Sequence, residues 1–132
     1  MKKKVVFDSN ILISLANNEI DTARFTKMFC KERKYVSLIT QIEILSGPDI
    51  SAEERYFLAG FLSECTIVPI RRNIIAETIR FRQTCRRKLP DSIIAATAVT
   101  LNAVLISNDS HLLQAKYPAL SVEPFELLPF SS

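Results

Sequence analysis

Four carboxylates stand where short apolar runs give way to helical patterns: Asp8, Glu43, Asp91 and Asp109. Each has a purely structural explanation. Asp8 and Asp109 can cap helices. Glu43 can complete a capping box with Thr40, and Asp91 suits the positive end of its helix. Together they ask for more. Asp8, Glu43 and Asp91 lie in strongly apolar sequence, where an unpaired charge is expensive. Carboxylates converging in one cleft repel one another and stay ionised only around a cation. The donors on offer are oxygens, with Ser9, Asn10 and Asn108 beside them, and oxygen ligands select Mg²⁺ or Mn²⁺. Such ions serve phosphoryl chemistry; whether one ion or two is used stays open.

Other chemistries fit worse. His111 is the sole histidine, so a two-histidine ribonuclease mechanism is excluded, and its place suits a surface or helix-end histidine. Gly47 and Gly60 are the only glycines, which removes Gly-rich phosphate loops. Neither Ser9 nor Ser92 sits in a nucleophile elbow. Cys30, Cys65 and Cys85 form no Cys-x-x-Cys pair, lie among apolar neighbours and read as reduced core thiols.

The elements that must position the carboxylates follow from patterning. Val5-Val6-Phe7 is a buried strand that runs into a helix from Ile11 to Ala16, with a break at Asn17-Asn18. A helix follows over Ile20–Cys30, with Ala23, Met28 and Phe29 as its apolar side. Tyr35–Ile39 reads as the second strand, and Thr40–Glu43 opens a helix ended by Gly47-Pro48. Ser51 with Glu54 forms a helix start. Thr66–Ile70 is a third strand, placed at a sheet edge or strand end by its proline. Arg72 to Lys88 reads as one helix, its stripe being Ile74, Thr78, Phe81 and Cys85. Leu89-Pro90 breaks it, Pro90 suits the first position of the next helix, and Asp91–Leu101 is apolar on every side and so buried. Ala103–Ile106 is the fourth strand, His111–Leu113 a short helix, and Leu120–Val122 a possible fifth strand. Strands alternating with helices predict an α/β fold, a parallel sheet covered on both faces. Ligand chemistry in such folds collects beyond the carboxyl ends of the strands.

The chain has 132 residues, 48% of them hydrophobic, as expected of a single domain (1–132) with a real core. No apolar run reaches the ~18 residues of a membrane span, and the run after Met-Lys-Lys-Lys is too short for a signal peptide, so a cytoplasmic protein is expected. The net charge is only +3, yet Arg80, Arg82, Arg86, Arg87 and Lys88 cluster just before Asp91. A basic run beside an acidic site is what an enzyme gripping nucleic-acid phosphates needs, although such runs are usually solvated helix faces.

Four segments resemble the PIN domain, most closely the small single-domain VapC type of toxin–antitoxin pairs. They are Val5–Asn10, Ile39–Ile44, Leu89–Ala98 and Leu105–Leu112, in the family's order across nearly the whole chain. The resemblance implies a three-layer α/β/α sandwich with a central parallel sheet of about four to five strands. Strands one and four would lie side by side, setting Asp8 and Asp109 across one crevice. It implies a Mg²⁺- or Mn²⁺-dependent endoribonuclease whose acidic ligand set is Asp8, Glu43, Asp91 and Asp109, supported by Ser9, Asn10, Ser107 and Asn108. Ser107 stands where the family often has threonine and keeps the hydroxyl. The fourth acidic position is assigned to Asp109 rather than Asn108. Implied partners are RNA, a small antitoxin that blocks the cleft, often with a basic side chain, and a second copy of the chain. The alternative reading is a catalytically silent PIN-like module that binds RNA or a partner. A receiver-like signalling domain would need an aspartate after the third strand, where Pro69-Ile70-Arg71-Arg72 stands.

Overall fold

The computed structural model describes residues 2–129. Five parallel strands, β1 (Lys4–Phe7), β2 (Arg33–Ser37), β3 (Thr66–Val68), β4 (Val104–Ile106) and β5 (Ser121–Glu123), form one sheet in the order β3-β2-β1-β4-β5. Around it run helices α1 (Ser9–Ala16), α2 (Thr22–Phe29), α3 (Leu38–Ser46), α4 (Ala52–Ser63), α5 (Arg72–Thr84), α6 (Leu89–Leu101) and α7 (Ser110–Leu113). This is the expected sandwich. β1 is the central strand, paired to β2 on one side and β4 on the other. The chain winds outward in both directions from the β1–β4 gap, which makes that gap the topological switch point.

The alternation of side chains along β1 builds two cores. Val5 and Phe7 face α1, α2 and α4, where Phe7 packs against Phe25 and Phe29 at ring separations of 5.3 and 5.2 Å. Val6 faces the other layer, with Phe81 of α5 and Ile94, Ala95 and Ala98 of α6. The small residues of α6 let its backbone come close to the sheet. Its buried Thr97 hydroxyl donates to the Ile93 carbonyl at 2.7 Å, which satisfies it without a partner from outside the helix.

Several expected boundaries move for local reasons. β2 ends at Ser37, because that side chain caps α3 and accepts from the Ile39 N–H at 3.2 Å. Leu38 and Ile39 are therefore helical despite their strand preference. α2 buries Phe25 and Phe29, four residues apart, while Ala23 and Met28 face solvent. α5 stops at Thr84 with Cys85 extended, four residues short of the expected end, so the basic segment 85–88 is a loop. Pro90 follows Leu89 in the first turn of α6, with Lys88 as cap. β3 stops before Pro69 at the sheet edge, and β5 begins one residue later than expected. The Ser51–Glu54 capping box forms on both sides. The three cysteines are free; Cys65 and Cys85 are partly buried and pack against the two cores, whereas Cys30 is exposed and is not a core thiol, and burial pushes the Cys65 thiol up to about 12. Among the described residues no helix is long and apolar enough to cross a membrane.

Candidate active site

Asp8 is the first residue beyond β1, and its N–H continues the ladder to the Ile106 carbonyl at 3.0 Å. That places it beside Ser107, the first residue beyond β4. Both side chains are buried, at 3% and 0% exposure. The Asp8 carboxylate accepts from the Ser107 hydroxyl at 2.6 Å, the Ser9 N–H at 2.7 Å and the Asn10 amide at 3.3 Å. Ser107 Oγ in turn accepts from the Asp109 N–H at 3.1 Å, so one hydroxyl ties the ends of both strands together. Burial nevertheless wins over these donors. Desolvation, then the nearby charges of Asp91 and Asp109, push the Asp8 carboxyl up to about 6, against the pull of Ser107 and Ser9.

Glu43 comes from the second turn of α3 and is exposed. The Ser9 hydroxyl donates to it at 2.7 Å and lies 3.4 Å from the buried Thr40 hydroxyl. Thr40, read in the sequence only as a capping residue, thus stands behind the Ser9–Glu43 link. Asp91 lies in the first turn of α6. Asp109 caps α7, accepting from the His111 N–H at 2.8 Å, and exposed His111 flanks it with Nδ1 at 3.5 Å. A cavity of about 600 Å³ is lined by Asp8, Glu43, Asp91 and Asp109, with Ser9, Asn10, Lys88 and His111 among its other walls. Asn108 turns away: its amide both donates to and accepts from the Phe125 backbone, each at 2.9 Å, and so holds the tail down. Ser107 and Asn108 do different work from adjacent positions.

The basic run divides. Arg82, Arg86 and Arg87 line a second cavity of about 640 Å³ with Ile79 and Leu89. Arg80 lines neither cavity; it pairs with Glu77 at 3.0 Å, and Glu77 also binds the Tyr117 hydroxyl. Lys88 belongs to the acidic cleft, and Arg87 borders both cavities. The Arg87 guanidinium is 3.2 Å from Asp91 and 3.9 Å from Asp109. A helix continued to Lys88 would carry Arg87; α5 instead ends at Thr84, and from the loop that follows Arg87 reaches into the cleft.

As the side chains stand, no three Asp, Glu, His or Cys groups among the described residues form a ready metal cage. The donor chemistry fits a hard divalent cation nonetheless. Asp8, Glu43, Asp91 and Asp109 all offer carboxylate oxygens to one cavity, the charges of Asp91 and Asp109 reach Asp8, and the Arg87 guanidinium already lies against Asp91 and Asp109.

A parallel sheet with carboxylates gathered at its switch point defines an α/β class with an acidic cleft. The PIN domain family model matches residues 5–117, and the chain belongs to the PIN domain family. Members of this family generally use divalent metal ions. A chain of a toxin–antitoxin complex from Klebsiella pneumoniae is 28% identical, with 88% of this chain and 94% of that one covered and a TM-score of 0.69. A chain of VapBC2 from Rickettsia felis, bound to a DNA fragment from their promoter, is 20% identical over 93% and 99% of the two chains, with a TM-score of 0.80. A chain of VapBC-1 from nontypeable Haemophilus influenzae is 21% identical over 92% and 97%, with a TM-score of 0.74. The chain has no match among curated proteins.

Proposed function

We propose that the protein is a metal-dependent endoribonuclease, the toxin of a toxin–antitoxin pair, acting at the cleft between β1 and β4. The observation that carries this reading is the gathering of Asp8, Glu43, Asp91 and Asp109 around one cavity beside a basic one. The four carboxylates are the residues that would hold Mg²⁺ or Mn²⁺. When bound, such an ion lowers the pKa of water and neutralises charge building on a phosphate.

The chain's own residues have separable parts in this reading. Ser107, Ser9 and Asn10 fix Asp8 in one orientation. Ser9 also aims Glu43, joining α1 to α3 across the cleft. Arg82 and Arg86 hold RNA phosphates, with Lys88 at the cleft mouth; such contacts give affinity without sequence information. Water attacks phosphorus, the phosphodiester P–O bond breaks, and the leaving oxygen takes up a proton. Arg80, committed to Glu77, contributes least.

An antitoxin partner belongs to the same reading, because the matched chains come from toxin–antitoxin complexes. A second copy of the chain is also expected, and exposed Ile75 and Ile79, one turn apart on α5, offer apolar surface for it. The test is cleavage of total RNA by purified protein with Mn²⁺ or with EDTA, comparing wild type with Asp8→Asn. Metal-dependent cutting lost in the variant is expected. Equal RNA binding by both proteins without cutting would favour a binding module.

A further inference from the structure

We infer that Arg87 is the resident counter-ion of the acidic cleft, and that a divalent cation must displace its guanidinium to load. The inference deepens the metal-dependent reading and rests on it.

The geometry is that of a stopgap rather than a structural ion pair. Two aspartates face Arg87, yet the contact consists of one hydrogen bond of 3.2 Å and one longer approach of 3.9 Å. A well-built arginine–carboxylate pair makes two parallel hydrogen bonds. Arg87 Nε is buried without a partner among the described residues, so the side chain leaves one donor unused where it lies. Its backbone is secured independently. The Arg87 carbonyl accepts from Arg82 Nε at 3.3 Å and faces the buried Ser92 hydroxyl at 3.4 Å, so the side chain can swing without the loop moving. A destination exists as well, since Arg87 also borders the cavity that holds Arg82 and Arg86. There the freed guanidinium would join the phosphate-binding surface.

The counter-ion keeps the carboxylates tolerable while no metal is bound, and it sets the cation concentration at which the cleft loads. Its competition with the metal has a defined sign. Removing the positive charge leaves Asp91 and Asp109 uncompensated and strengthens metal binding. A merely structural ion pair would lower the melting temperature on removal without tightening the metal.

The experiment is calorimetric titration of the full chain with Mn²⁺, comparing wild type, Arg87→Gln, Arg87→Lys and Arg86→Gln. Arg87→Gln is expected to bind Mn²⁺ about tenfold tighter, the effect of a change of one pK unit in differential interaction. Arg87→Lys keeps the charge and Arg86→Gln touches no carboxylate, so both should stay near wild type. Equal or weaker binding by Arg87→Gln overturns the counter-ion role while leaving the metal reading intact. No Mn²⁺ uptake by any of the proteins overturns both. Should Arg87→Gln not fold, arginine side-chain NMR of the wild type during Mg²⁺ titration decides. An Arg87 Nε–H signal that shifts and saturates with the ion supports displacement, and a signal that stays still overturns it.

Discussion

The floor and the rim of the cleft are built on opposite principles. On the floor, buried Asp8 is gripped by three donors from three residues, at 2.6, 2.7 and 3.3 Å. On the rim, Glu43 is exposed with a single Ser9 bond, and Asp91 and Asp109 share one loosely seated arginine. The floor is over-determined and holds one geometry against a real desolvation penalty. The rim is adjustable and can exchange one cation for another. A fixed carboxylate with adaptable neighbours suits a ligand that binds and leaves, whereas a purely structural cluster would be tied equally throughout.

The largest expected break comes at the floor. Asp8→Asn should lower RNA cleavage by about a thousandfold, the scale on which removing one preorganised electrostatic group acts. Circular dichroism should show the fold retained.

The next effect is on stability. The Asp8 carboxyl sits near 6 in the fold against an ordinary value of 3.8. The folded state therefore binds more protons between those values, and stability falls as pH rises through that window. The loss is complete above about pH 6 and amounts to at most about 3 kcal/mol. Urea denaturation without divalent metal at pH 4.5 and 7.5 should show it, and Asp8→Asn should flatten it.

Ser107→Ala is smaller. It removes the shortest donor to Asp8, costs about 1–2 kcal/mol in urea denaturation, and pushes the Asp8 carboxyl further up. On the basic surface beside the cleft the changes are smaller still. Arg86→Gln should reduce the salt dependence of RNA binding by about one unit of slope. Arg80→Gln should leave it nearly unchanged, because that charge is already engaged by Glu77.

The same contrast governs what was legible in the sequence. Asp8 could be placed because Val5-Val6-Phe7 is a strand that fits only a buried centre, and a strand end fixes the next residue. The α6 helix was legible because Ile93–Val99 is almost entirely apolar or small, with no face left for water. The rim was harder to read. Periodicity alone carries the helix on to Lys88, whereas α5 ends at Thr84 and α6 begins at Leu89, which leaves segment 85–88 as a loop. Leu38 and Ile39 carry strand preference, yet the Ser37 cap starts α3 at Leu38, and from that helix Thr40 and Glu43 reach Ser9. Asn108 and Asp109 are equally polar neighbours. The Phe125 backbone, far along the chain, takes up Asn108, while Asp109 is set by Ser107 and the α7 cap.

The central claim is that the floor carboxylate burdens the fold until a cation arrives. The most direct measurement is the melting temperature of wild type and Asp8→Asn at pH 7.5, each with and without Mn²⁺. Asp8→Asn is expected to melt higher without metal, by up to about 12 °C at roughly 4 °C per kcal/mol. Mn²⁺ is expected to raise the wild type more than the variant. A variant that melts below the wild type without metal, with Mn²⁺ moving neither protein, would contradict that claim and make Asp8 a structural cap.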